Sequence, residues 1–174
     1  MSANEPLSNL FGIDTKNFSK EKNMLLEVEL FARICDELKE IFRKKYKNFF
    51  QIMKYTLIKE DEMLENNLMQ IILNDIISTE EYTLEGIATY TDIHIDIIRE
   101  LASGLNTKPL ATCLRKVIEL HRTVRRDLYQ TISKKIVAGS VATLSTDCGC
   151  IPLIRCSVHD VSQNKKVGSF SYKS

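Results

Sequence analysis

The sequence predicts a mainly α-helical protein, with a long N-terminal helical segment and a small C-terminal β ribbon. Apolar residues return at three- and four-residue intervals over most of 20–136, the spacing of helices that bury one face. Only six glycines and three prolines punctuate the 174 residues, too few for a chain built from many turns. After Val137 the pattern changes: Gly, Ser, Thr, Val and Cys dominate and helical periodicity gives way to strand-like runs.

Residues 1–19 are polar apart from Leu10, Phe11 and Phe18 and read as a flexible arm. The N-terminal helical segment spans 20–59, with Phe31, Ile34, Leu38, Ile41, Phe42, Phe49, Ile52 and Met53 on its stripe. It is one amphipathic helix or two joined near Lys47-Asn48. Its second half carries Arg43, Lys44, Lys45, Lys47, Lys54 and Lys59 without an acid between them, either a solvated face or a phosphate-contacting one. A further helix runs from about Glu62 to Ile77 on Leu64, Leu68, Ile71, Ile72 and Ile76, and Ser78 to Glu81 break it. Pro109 is placed in the first turn of another helix, where proline is tolerated. The stripe of that helix continues from Leu110 to Ile136. Strands are expected over 150–161 and 166–172, with a third over 138–144. A ribbon this small must lie on the helices or pair with another copy.

Between them, Thr83 to Gly104 (TLEGIATYTDIHIDIIRELASG) reads as two short helices joined by a tight turn. Ala88 sits at their close contact, Ile87, Ile93, Ile98 and Leu101 supply the core, and Gly104 ends the second helix. That spacing is a helix-turn-helix, which offers its second helix to the DNA major groove. With the Thr83-Leu84-Glu85 start, Ser103-Gly104, Pro109 and the helix after it, residues 62–120 resemble the lambda-repressor-like (Xre/Cro) DNA-binding domains. The resemblance implies a helix-turn-helix domain over 60–136. It also implies sequence-specific DNA binding in transcriptional regulation, with His94, Ile95, Asp96 and Arg99 facing bases and Lys108, Arg115 and Lys116 holding the backbone. Asp92 stands where such turns usually have glycine, and His94 where they have a Ser or Thr cap. Arg99 can grip guanine, Ile95 can meet a thymine methyl and Asp96 can accept from cytosine.

Charge opposes this reading locally. From Glu60 to Glu100 eleven acidic residues face one basic residue, Arg99, although eight basic residues follow between Lys108 and Lys135. The overall charge of +1 gives no general attraction to DNA. The alternative is therefore an antitoxin-like or adaptor module that keeps the helix-turn-helix shape and binds a protein partner through the acidic 60–100 face.

Cys148, Cys150, Cys156 and His159 crowd one short segment, but C-x-C on a single ribbon fits small buried strand residues better than tetrahedral zinc. Neither His94 nor His121 has a nucleophile beside it, and no phosphate-cradling loop is present, so no enzyme activity, metal or cofactor is expected. No apolar run is long enough for a membrane span. An odd count of five cysteines without a secretion signal points to a cytoplasmic protein. The N-terminal stripe and the ribbon, which could also pack within one chain, are expected to form a homodimer on two DNA half-sites.

Overall fold

The computed structural model describes residues 6–143, and the side chains of 6–139. Ser19, Thr56 and Thr83 lie in extended backbone, and each hydroxyl accepts a backbone N–H three residues on. Each therefore starts a helix by satisfying a donor that has no partner inside it. They open α2 (Lys20–Lys45), α4 (Leu57–Ile77) and α5 (Leu84–Thr91). The remaining elements are α1 (Leu7–Leu10), α3 (Lys47–Ile52), α6 (Ile95–Ser103), α7 (Ala111–Val124) and α8 (Arg126–Thr143).

The long helices α2 and α4 form the spine. Leu30, Ile34, Leu38 and Phe42 of α2 are buried in one core with Leu64, Leu68, Ile72 and Ile76 of α4. α4 also carries α6 and α7, α5 packs on both of these, and α8 lies against α2 and α7. Ions line the α2–α4 seam: Lys39 binds Glu65, Arg43 binds both Glu60 and Asp61, and Lys45 binds Asp75. The basic half of α2 and the acidic start of α4 thus largely neutralise each other.

Several expectations are corrected. The class of mainly α with a C-terminal β ribbon does not hold where the chain is described: all eight elements among the described residues are helices. The strand expected over 138–144 is helical through Thr143, because the stripe of Leu128, Ile132 and Ile136 carries α8 past Val137. The strands expected over 150–161 and 166–172 lie outside the described residues. The helix expected to run unbroken from Pro109 to Ile136 is two. Arg125 (φ −112°, ψ 51°) separates α7 from α8, and Leu110 rather than Pro109 caps α7. Part of the supposed flexible arm is docked, because the Glu27 carboxylate accepts the N–H groups of Leu7 and Ser8 at 2.8 and 2.9 Å. Leu7 and Phe11 are buried there. Most of the stripe that motivated a dimer is likewise spent within one chain, with Leu38 and Phe42 inside the core and Phe31 half-buried.

Candidate functional site

Helices α5 and α6 pack on one another across the turn Asp92-Ile93-His94. Asp92 closes α5 in the left-handed region (φ 51°, ψ 49°), a conformation Asp tolerates better than most residues. The turn is held by the Ile93 N–H donating to Ala88 O at 3.2 Å. Below it Ile87, Ala88, Ile93, Ile98 and Leu101 are buried. Gly104 ends α6 at φ 77°, and the Leu105 N–H donates to Glu100 O at 3.0 Å, a left-handed helix stop that favours glycine. A Cβ at Gly104 would meet Gln70 Oε1 of α4 at 2.9 Å, so this glycine also sets how closely α4 approaches.

The outer face so presented is acidic. His94 caps α6, its Nδ1 accepting the Asp96 N–H at a long 3.4 Å. Asp96 and Arg99 stand outward beside Ile97, while Ile95 is half-buried against the core. Ile97 is thus the more exposed of the two isoleucines. Arg99 is held by two carboxylates, Asp96 at 3.4 Å and Glu85 at 3.2 Å. Lys116 reaches Asp92, 3.7 Å to the carboxylate and 3.2 Å to the carbonyl. Arg115 sits between Glu27 at 3.5 Å and Glu119 at 3.4 Å. Only Lys108, exposed on the α6–α7 connection, has no carboxylate partner among these candidates. Glu80, Glu81 and Glu100 are also exposed around the motif.

A second polar constellation lies inside. Asp75 is 5% exposed and His121 0%. His121 Nε2 meets Asp75 Oδ2 at 3.1 Å, and Nδ1 meets the Tyr129 hydroxyl at 2.9 Å. In the neutral ring, Nε2 donating to Asp75 leaves Nδ1 to accept the Tyr129 proton. Lys45 and Arg125 reach the same carboxylate at 2.9 and 3.2 Å. The bond from His121 first, then Lys45 and Arg125, holds the Asp75 carboxyl well below its usual range, against the opposing effect of burial. Burial drives the Tyr129 hydroxyl far upward. An Asp–His–Tyr chain with this connectivity could relay a proton in an open cleft. Here all three are buried, and together with Lys45 they link α2, α4, α7 and α8. The sequence reading counted Asp75 with the acidic 60–100 face. Its position four after Ile71 and seven after Leu68 places it on the apolar stripe, which is the signal that marks it as interior.

Among the described residues no group of His, Cys, Asp and Glu could hold a metal; Cys148, Cys150, Cys156 and His159 lie outside them. No helix among the described residues is long and apolar enough to cross a membrane. Compared with protein-family models, with curated proteins and with solved structures, the chain matches none.

Proposed function

We propose that the chain is a protein-interaction module with a helix-turn-helix shape, and that its α5–α6 face docks a basic segment of another protein. The observation that carries this reading is the acidic rim of α6. Glu80, Glu81, Glu85, Asp92, Asp96 and Glu100 are exposed on or beside α5 and α6; Arg99 holds two of them and Lys116 a third, leaving Glu80, Glu81 and Glu100 without a cation among the described residues. A duplex would bring phosphates against that rim, whereas a lysine- or arginine-rich segment would find complementary charge there.

Sequence-specific DNA binding is the second reading, favoured by the outward face of α6 and by Lys108, Arg115 and Lys116 beside it. The pairs around Arg99 and Lys116 are exposed, so separating each costs about 0–1 kcal/mol. A bidentate guanine contact contributes about 1–3 kcal/mol, enough to draw Arg99 away. The freed Glu85 and Asp96 would then face the backbone, and this places the reading second.

One experiment separates the two. The full chain is titrated with an arginine-rich peptide and with fragmented genomic DNA, at low and high salt, as wild type, Arg99→Ala and Asp96→Lys/Glu100→Lys. Peptide binding lost in the double variant, with DNA ignored, supports the interaction module. Steeply salt-dependent DNA binding that Arg99→Ala weakens for some sequences more than others would overturn it in favour of the regulator.

A further inference from the structure

At the far end of α4 from the α5–α6 face, the chain turns from α3 into α4 through a corner of unusual composition. Ile52, Leu57 and Ile58 are 79%, 72% and 72% exposed, and Phe49 and Met53 stand partly clear beside them. The corner is rigidly built. The Tyr55 N–H donates to Phe50 O at 3.1 Å and the Lys54 N–H to Gln51 O at 3.2 Å. The rings of Phe49, Phe50 and Tyr55 pack with centroids 5.9 to 6.3 Å apart. These are the two hydrogen bonds and the apolar contact of a left-handed helix stop, a place where glycine is usual. Lys54 occupies it instead, at φ 51°, a region that side chains other than Asn and Asp enter at some cost.

Lys47, Lys54 and Lys59 are exposed and have no carboxylate partner among the described residues; Lys44 binds Glu40 at 3.4 Å. Of the nearest acids, Glu60 and Asp61 are both held by Arg43, leaving Glu62 the one without a cation in this stretch. The corner therefore combines projecting aliphatic side chains with uncompensated lysines. Of partners outside this chain, three kinds of surface could cover it. A second copy of the chain, related by two-fold symmetry, would set Lys47, Lys54 and Lys59 against themselves, and like charges oppose that contact. An acidic protein groove would have to enclose side chains that stand almost free of their neighbours. An anionic bilayer needs no groove: aliphatic tips enter the headgroup boundary while lysines stay among the phosphates.

We propose that the α3–α4 corner docks peripherally on an anionic lipid bilayer. Ile52, Leu57 and Ile58 are the inserted residues, and Lys47, Lys54 and Lys59 the headgroup contacts. The proposal uses no membrane-spanning segment and does not depend on what binds the α5–α6 face. The 21 residues of α4 rise about 1.5 Å each, so its two ends lie about 30 Å apart. A chain held at this corner keeps its acidic face in solution.

The test is sedimentation of the full chain with vesicles of phosphatidylcholine alone or mixed with phosphatidylglycerol, at low and high salt. Ile52→Ser/Leu57→Ser and Lys47→Gln/Lys54→Gln/Lys59→Gln are compared with wild type. All five side chains are solvent-exposed, and circular dichroism and melting curves confirm that the variants fold. Wild type is expected to pellet with phosphatidylglycerol vesicles and to be released by salt, and each variant to lose about tenfold in partitioning. Several outcomes would overturn the proposal. They are no pelleting with anionic vesicles, equal pelleting with neutral ones, or full retention by the serine variant, which would reduce the corner to a general polyanion site. Binding to polyglutamate without binding to vesicles would instead assign the corner to an acidic protein. A halved particle mass for the serine variant would assign it to a second copy.

Discussion

Asp75→Asn isolates charge from volume at the centre of the molecule. The substitution keeps the shape of the side chain and removes its negative charge from three donors: His121, Lys45 and Arg125. A hydrogen bond to a charged group contributes about 1.5–3 kcal/mol and a neutral one about 0.5–1.5 kcal/mol. The fully buried His121 contact therefore weakens by about 1 kcal/mol. Lys45 and Arg125 are half-exposed and can turn to water, so each adds at most about 0.5–1 kcal/mol. The total is about 2–3 kcal/mol, or about 5–10 °C in melting temperature for a chain of this length. The pH dependence follows from the depressed carboxyl of folded Asp75. Its contribution is fully present above the unfolded value near about pH 4 and is lost as pH falls through the lower folded value. Melting of wild type and Asp75→Asn, followed by circular dichroism, should differ by a constant amount from neutral pH down to about pH 5 and converge below about pH 4. A difference under about 2 °C at neutral pH, or one that grows with acid, would refute the reasoning.

Gly104→Ala should destabilise by about 1–2 kcal/mol, through its positive φ and the 2.9 Å approach of Gln70. Gln70→Ala in the same chain should restore only the steric share, as read by denaturant midpoints. Asp92→Gly should be neutral or stabilise by up to about 1 kcal/mol, since the left-handed turn suits glycine and the Lys116 pair is exposed; a clear loss in melting temperature would contradict this. Ala88→Leu should cost about 1–3 kcal/mol by overpacking the buried α5 contact, and an unchanged melt would show that space exists there. Burial lifts the Cys35 thiol to about 11, so Cys35→Ser should leave the number of thiols alkylated by iodoacetamide in the native protein near about pH 8 unchanged.

Helix positions were legible because apolar spacing and capping residues agree. Ser19 and Thr83 open helices where a hydroxyl precedes an apolar stripe, and Gly104 closes one as its place after Ser103 implies, whereas α4 opens at Leu57 behind Thr56, ahead of the Glu62 start read from the sequence. The break at Arg125 was not legible. Val124, Leu128 and Ile132 keep helical spacing across it, and the Arg125 side chain turns to Asp75, a partner 50 positions earlier that local pattern does not reveal. Charge was the least legible property of the candidate site. The excess of acids over 60–100 reads as one negative surface, yet its α4 part is matched by α2 across a tertiary seam. What stays in excess lies around α5 and α6, where Glu80, Glu81 and Glu100 have no cation among the described residues. Pairing between distant segments is not encoded in local pattern, and so the basic half of α2 read as a surface when much of it is a seam.

The Asp75 carboxylate also bears on where the chain can be divided. Its partners arrive from α2, from α7 and from the α7–α8 junction, and Tyr129 of α8 joins through the imidazole. A fragment beginning at Glu60 would keep the carboxylate, its partners His121 and Arg125, and Tyr129 beyond the imidazole. It would lose the N-terminal three residues of α4, Lys45, and the leucines and phenylalanine of α2 that cover Leu64, Leu68 and Ile72. The N-terminal helix and residues 60–136, distinct in sequence, share one buried core, and the natural place to cut this protein is not between them.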